Sequence, residues 1–77
     1  MPRKFNYPQF MRSCNSGYVD IVHAQICHEL TANGCNHTNS RAVHALFVRL
    51  GLAQMCIEEI CEYFVSKYRK RILENKN

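Results

Sequence analysis

In three stretches of this chain the apolar residues return every third or fourth position, and that spacing admits one kind of local structure. Tyr18, Val22, Ile26 and Leu30 stand four apart, with Ile21 and Cys27 widening the stripe. Val43, Leu46, Phe47 and Leu50 make a second stripe. Ile57, Ile60, Cys61, Phe64, Tyr68 and Ile72 make a third, with Ala53 and Cys56 extending it upstream. At 3.6 residues per turn each set falls on one flank of an α-helix, and that flank must be covered to leave water.

The residues between the stripes read as helix ends. Asn33-Gly34 closes the first helix and Gly51 the second, because glycine enters the left-handed conformation of a helix terminus without steric cost. Thr38, Asn39 or Ser40 caps the second helix by accepting from a backbone N–H of its first turn. Nothing interrupts Ala53 to Leu73, which as one helix would be about 30 Å long. Pro8 suits the first turn of a further short element reaching Cys14, with Asn6 or Tyr7 as its cap.

The expectation is therefore an all-α, compact three-helix domain with a short extra N-terminal helical turn and a long C-terminal helix. It spans residues 1–77 as one domain, with 1–6 and 74–77 frayed. The expected core is Tyr18, Val22, Ile26, Leu30, Val43, Leu46, Phe47, Leu50, Ile57, Ile60, Phe64 and Tyr68. Val48, Met55 and Val65 fit the stripes less well, and exposed together they would form a docking patch or a homodimer seam. Gln25, with Asp20, His28 and Glu29, is expected on the polar side of the first main helix.

Within this frame one passage resembles a known motif. Leu46 and Leu50 precede Gly51, Leu52 follows it, and Ile57 and Ile60 lie six and nine places beyond, a framework similar to the helix-turn-helix family over residues 44–62. That family places a small residue where Phe47 stands. The resemblance implies a dimeric DNA-binding transcriptional regulator, with Gln54 and Glu58 at bases and Arg41 and Arg49 at phosphates.

Charge argues for a different use of the same surface. The chain has 10 Lys and Arg against 6 Asp and Glu. Glu58, Glu59 and Glu62 form an acidic block just ahead of the basic run Lys67, Arg69, Lys70 and Arg71, with Arg3 and Lys4 at the other end. Acidic residues where a DNA reader meets the groove repel phosphates, which supply most nucleic-acid affinity. The leading expectation is thus a non-enzymatic accessory or inhibitor protein that docks on a larger protein partner through Glu58, Glu59, Glu62, Met55, Lys67, Arg69, Lys70 and Arg71. Nucleic-acid-handling machinery, with exposed cationic sites, is a partner of suitable chemistry; nucleic acid itself and a homodimer are the alternatives. Small basic proteins of this type suit an origin in a phage or other mobile element.

Five cysteines, an odd number with no secretory signal before them, point to a reducing, cytoplasmic setting, with Cys27, Cys56 and Cys61 as small buried hydrophobes. His23 and Cys27, four apart on a helix, together with Cys35 and His37 in the following loop, are the candidate zinc ligands, although neither pair has the usual two-to-four-residue cysteine spacing. No cofactor is otherwise implied. A domain of 77 residues hides only about 60% of the surface of its unfolded chain, so it has little material for a closed catalytic cavity. Cys35 and His37 lack an orienting carboxylate, and no enzyme activity is expected. The longest apolar run, Ala45 to Val48, is far short of the roughly 20 residues of a membrane-spanning helix.

Overall fold

The computed structural model describes residues 6–75, which form four helices and, among them, no strand. The first, α1 (Tyr7–Ser13), starts where the Asn6 carbonyl side chain accepts from the Gln9 N–H at 3.1 Å, with Pro8 in the first turn. Tyr7, Phe10 and Cys14 are three and four apart and all buried, so this short element carries a genuine core stripe. Asn6, expected in the frayed end, is instead the cap of this helix; residues 1–5 of that expectation, with the basic pair Arg3 and Lys4, lie outside the described residues.

Helix α2 (Val19–Ala32) buries Val22, Ile26 and Leu30 as the periodicity requires. Tyr18 does not join them. It is the N-cap, 36% exposed, because the stripe begins one turn later. At the other end Gly34 takes φ +79°, its N–H reaches the Thr31 carbonyl and the Cys35 N–H reaches that of Leu30. These paired bonds satisfy carbonyls that a helix end leaves open, the arrangement of a Schellman motif.

Asn39 caps α3 (Ser40–Arg49), its side-chain oxygen accepting from the Ala42 N–H at 2.9 Å. Ser40 also ties this end to α1, its Oγ accepting from the Tyr7 N–H at 2.9 Å. A second Schellman closure follows: Gly51 at φ +75°, with Gly51 N–H to Val48 O and Leu52 N–H to Phe47 O. It turns the chain so that Leu52 enters the core at 1% exposure.

Helix α4 (Ile57–Glu74) starts four residues later than its apolar spacing suggests. Ala53 to Cys56 form a turn, braced by the Met55 N–H on the Leu52 carbonyl, because the chain must come back out after burying Leu52. Glu74 is still helical. Ile57 in the first turn is 39% exposed, whereas Ile60, Cys61, Phe64 and Val65 are buried. Val65 thus belongs to the core, Leu50 and Tyr68 are only half-buried, Cys27 is intermediate, and Cys56 is exposed.

Helix α4 packs mainly on α2, while α1 and α3 pack on each other and on α2. Three phenyl rings join the layers: Phe10 meets Phe47 edge-on at 5.3 Å between centroids, and Phe47 meets Phe64 at 5.6 Å. Phe47 is therefore the hub linking α1, α3 and α4, which explains a large residue at that position. No described helix is long and apolar enough to cross a membrane.

Candidate docking surface

One buried amide sets the rotation of α4 against α2. Gln25 is only 2% exposed, and its carbonyl oxygen accepts from Arg71 Nε at 2.9 Å while its amide donates to Glu29 Oε1 at 3.1 Å. Lys67 Nζ sits 3.9 Å from the same Glu29 oxygen and over the Tyr63 ring. An amide hidden from water needs such partners, and here one comes from the charged run of the facing helix and the other from the next turn of α2 itself. Gln25 thus lies on the packed side of α2, against its expected exposure, because the partner helix brings a cation rather than a hydrocarbon.

This seam divides the basic run. Arg71 turns inward, its guanidinium also lying over the Tyr68 ring, and Lys67 leans across the seam. Arg69 and Lys70 face outward and have no hydrogen-bonded or ionic partner among the described residues. The acids are equally exposed: Glu58 and Glu62 are unpaired in the same sense, and Glu59 accepts only a thiol hydrogen bond from Cys56 at 3.2 Å. Glu58 and Glu59 sit in the first turn and Arg71 in the last, complementing the helix dipole.

Two hollows border this face. A shallow trough of about 480 Å³ runs along α4, lined by Met55, Glu59, Glu62, Tyr63, Lys67 and Lys70. A second, about 380 Å³, opens between α1, α3 and the start of α4, with Phe10, Phe47, Met55, Ile57 and Ile60 on its apolar side and Asn6, Gln9, Ser13 and His44 on its polar side. Met55, 36% exposed, lines both. A partly apolar recess thus adjoins, at Met55, a trough that is acidic at one end and basic at the other. Val48 is 57% exposed on α3, but the burial of Val65 removes it from the patch expected of Val48, Met55 and Val65.

The helix-turn-helix framework is not assembled. Ala53 and Gln54 lie in the turn instead of opening a second helix, Ile57 is exposed instead of clamping the pair, and α4 packs on α2. Seven residues, 50–56, separate α3 from α4, where the motif needs a tight turn. Arg41 and Gln54 are exposed, and Arg49 donates to the Asn33 side chain at 2.7 Å, fastening α3 to the end of α2.

The candidate zinc ligands are only partly gathered. His23 Nε2 and Cys27 Sγ are 3.5 Å apart, but the other ring nitrogen of His23 shares a 2.7 Å hydrogen bond with the Tyr7 hydroxyl. Cys35 donates to the backbone oxygen of His37 at 3.4 Å. Among the described residues no three His, Cys, Asp or Glu side chains converge as a metal site would require. Burial foremost, with the Cys27 and Cys14 thiols adding to it, pushes the Tyr7 phenol up to about 12.

Sequence periodicity missed the apolar recess. Part of its wall comes from α1, whose apolar stripe of Tyr7, Phe10 and Cys14 is short and reaches the wall only through Phe10, and Met55 and Ile57 line it because the chain reverses at Leu52. The signal present was the 7-10-14 spacing itself. No protein-family model, curated protein or solved structure matches the chain in these comparisons.

Proposed function

We propose that this chain is a non-enzymatic docking protein, an accessory or inhibitor of a larger protein partner, and that the outer face of α4 with Met55 makes the contact. The observation that carries the reading is that the exposed Met55 lines both a partly apolar recess and a trough edged by charge. Interfaces draw most of their energy from a few apolar anchors in pockets, and their register and encounter rate from the charges around them. Met55 and Ile57 with the recess supply the first part, and Glu58, Glu59, Glu62, Arg69 and Lys70 the second. A partner surface with cations facing the acidic end and acids facing the basic end fits this order; cationic sites of nucleic-acid-handling proteins have the required chemistry.

The test is affinity capture on the folded chain from cell lysate without nuclease treatment, paired with titration of random duplex DNA at two salt concentrations. A stoichiometric protein partner, with weak DNA binding that changes little with salt, supports docking. Recovery of nucleic acid alone, or tight DNA binding that falls steeply with salt, rejects it in favour of a DNA-binding protein.

A further inference from the structure

Two of the five cysteines meet in the core. Cys14 caps the C-terminus of α1 and Cys61 lies in the second turn of α4; both are buried, and the Cys61 thiol donates to Cys14 Sγ at 2.7 Å across an interval of 47 residues. The other three thiols have partners of a different kind: Cys27 the His23 ring, Cys35 a backbone oxygen, Cys56 a carboxylate. A sulfur–sulfur bond is about 2.05 Å long, so closing the gap asks for a movement of well under an ångström between two side chains that already touch.

We propose that Cys14 and Cys61 are a modification site, a dithiol that a low-molecular-weight disulfide such as oxidised glutathione converts into an intramolecular bond stapling α1 to α4. The inference stands on this geometry and does not depend on the docking reading. The balance is that of thiol–disulfide exchange. One cysteine, as thiolate, attacks a sulfur of the small disulfide; a mixed disulfide forms and one small thiolate leaves, taking up a proton. The second cysteine, deprotonated in turn, attacks the protein sulfur of that mixed disulfide and releases the second small thiol. Two protein thiols give up two electrons and two protons, and one small disulfide becomes two thiols.

Access comes through local opening of α1, which has only seven residues and ends at Cys14. The burial that protects the thiols also makes the reaction selective: an exposed thiol such as Cys56 forms mixed disulfides, but has no second thiol beside it to complete a ring. Once closed, the bond fixes α1, one wall of the apolar recess, against α4, which supplies another.

The experiment equilibrates the full 77-residue chain with glutathione from reducing to oxidising ratios, quenches with acid, and alkylates the remaining thiols in denaturant. Digestion after aromatic residues separates Cys14 from Cys27, and digestion after glutamate separates Cys56 from Cys61, so mass spectrometry assigns each thiol. The expected result is a product lighter by two hydrogens, with Cys14 and Cys61 in one cross-linked peptide. Its thermal midpoint should lie roughly 10 °C or more above that of the reduced chain, as closure of a long loop implies. C14A and C61A should lose both the cross-link and the rise; if either variant does not fold, the thiol assignment on the unaltered chain decides alone. Full alkylation of Cys14 and Cys61 at the oxidising end overturns the proposal. So does pairing of either with Cys27, Cys35 or Cys56, or a cross-link that leaves the midpoint unchanged or lowered.

Discussion

Tyr7 and Cys14 bind their protons more tightly in the folded chain than in water. Burial is the first cause for both, reinforced at Cys14 by the hydrogen bond and charge of Cys61; the phenol moves from 10.0 to about 12 and the thiol from 9.0 to about 12. A raised folded pKa contributes stability that is complete below the unfolded value and lost as pH climbs toward the folded one. With reductant present, the thermal midpoint should therefore hold steady up to about pH 9 and fall between pH 9 and 12. Tyr7→Phe should cost about 1 kcal/mol at neutral pH, where it removes the hydrogen bond to His23, and should make the alkaline fall shallower. A melting series across pH on both chains checks this. Gln25 and Arg71 make a second residue-scale contrast. Arg71→Ala strands a buried amide oxygen and should lower stability by about 1–3 kcal/mol, whereas Arg69→Ala should stay within about 0.5 kcal/mol, as chemical denaturation would measure. Sequence ranked these arginines together, because spacing gives the flank of a side chain and not what the facing helix offers it.

The elements were legible where glycine and asparagine mark an end. Asn39 caps α3, and Gly34 and Gly51 sit at positive φ as their places after the apolar stripes imply. Gly51→Ala meets no steric obstacle, so its cost is that of the left-handed backbone alone, about 1–2 kcal/mol, readable as a lowered denaturation midpoint. The start of α4 was not legible. Ala53 and Cys56 continue the periodicity of the helix that follows, but the bond from the Leu52 N–H to the Phe47 oxygen commits the chain to a reversal first. Periodicity registers which residues share a flank; it does not register a buried C-terminal closure that delays the next helix. The same delay exposes Ile57, expected in the core, beside Met55, which was expected at the surface, so that part of the candidate surface was hidden for the reason that the helix boundary was.

At the scale of the whole molecule, the Phe47 ring touches both α1 and α4 from α3. Phe47→Ala should cost about 3–5 kcal/mol, since it leaves Phe10 and Phe64 facing a void in a small core, and circular dichroism on heating should show a large fall in midpoint. That core leaves the outer face of α4 exposed, and docking through this face is the claim on which the functional account rests. Its most direct measurement is the affinity of the captured partner for the unaltered chain and for E58K/E59K/E62K, both verified as folded by their helical spectra. The account predicts at least a tenfold loss on charge reversal, equivalent to about 1.4 kcal/mol, with the fold retained although cations in the first turn of α4 lower its stability. Equal affinity for the two chains would contradict it.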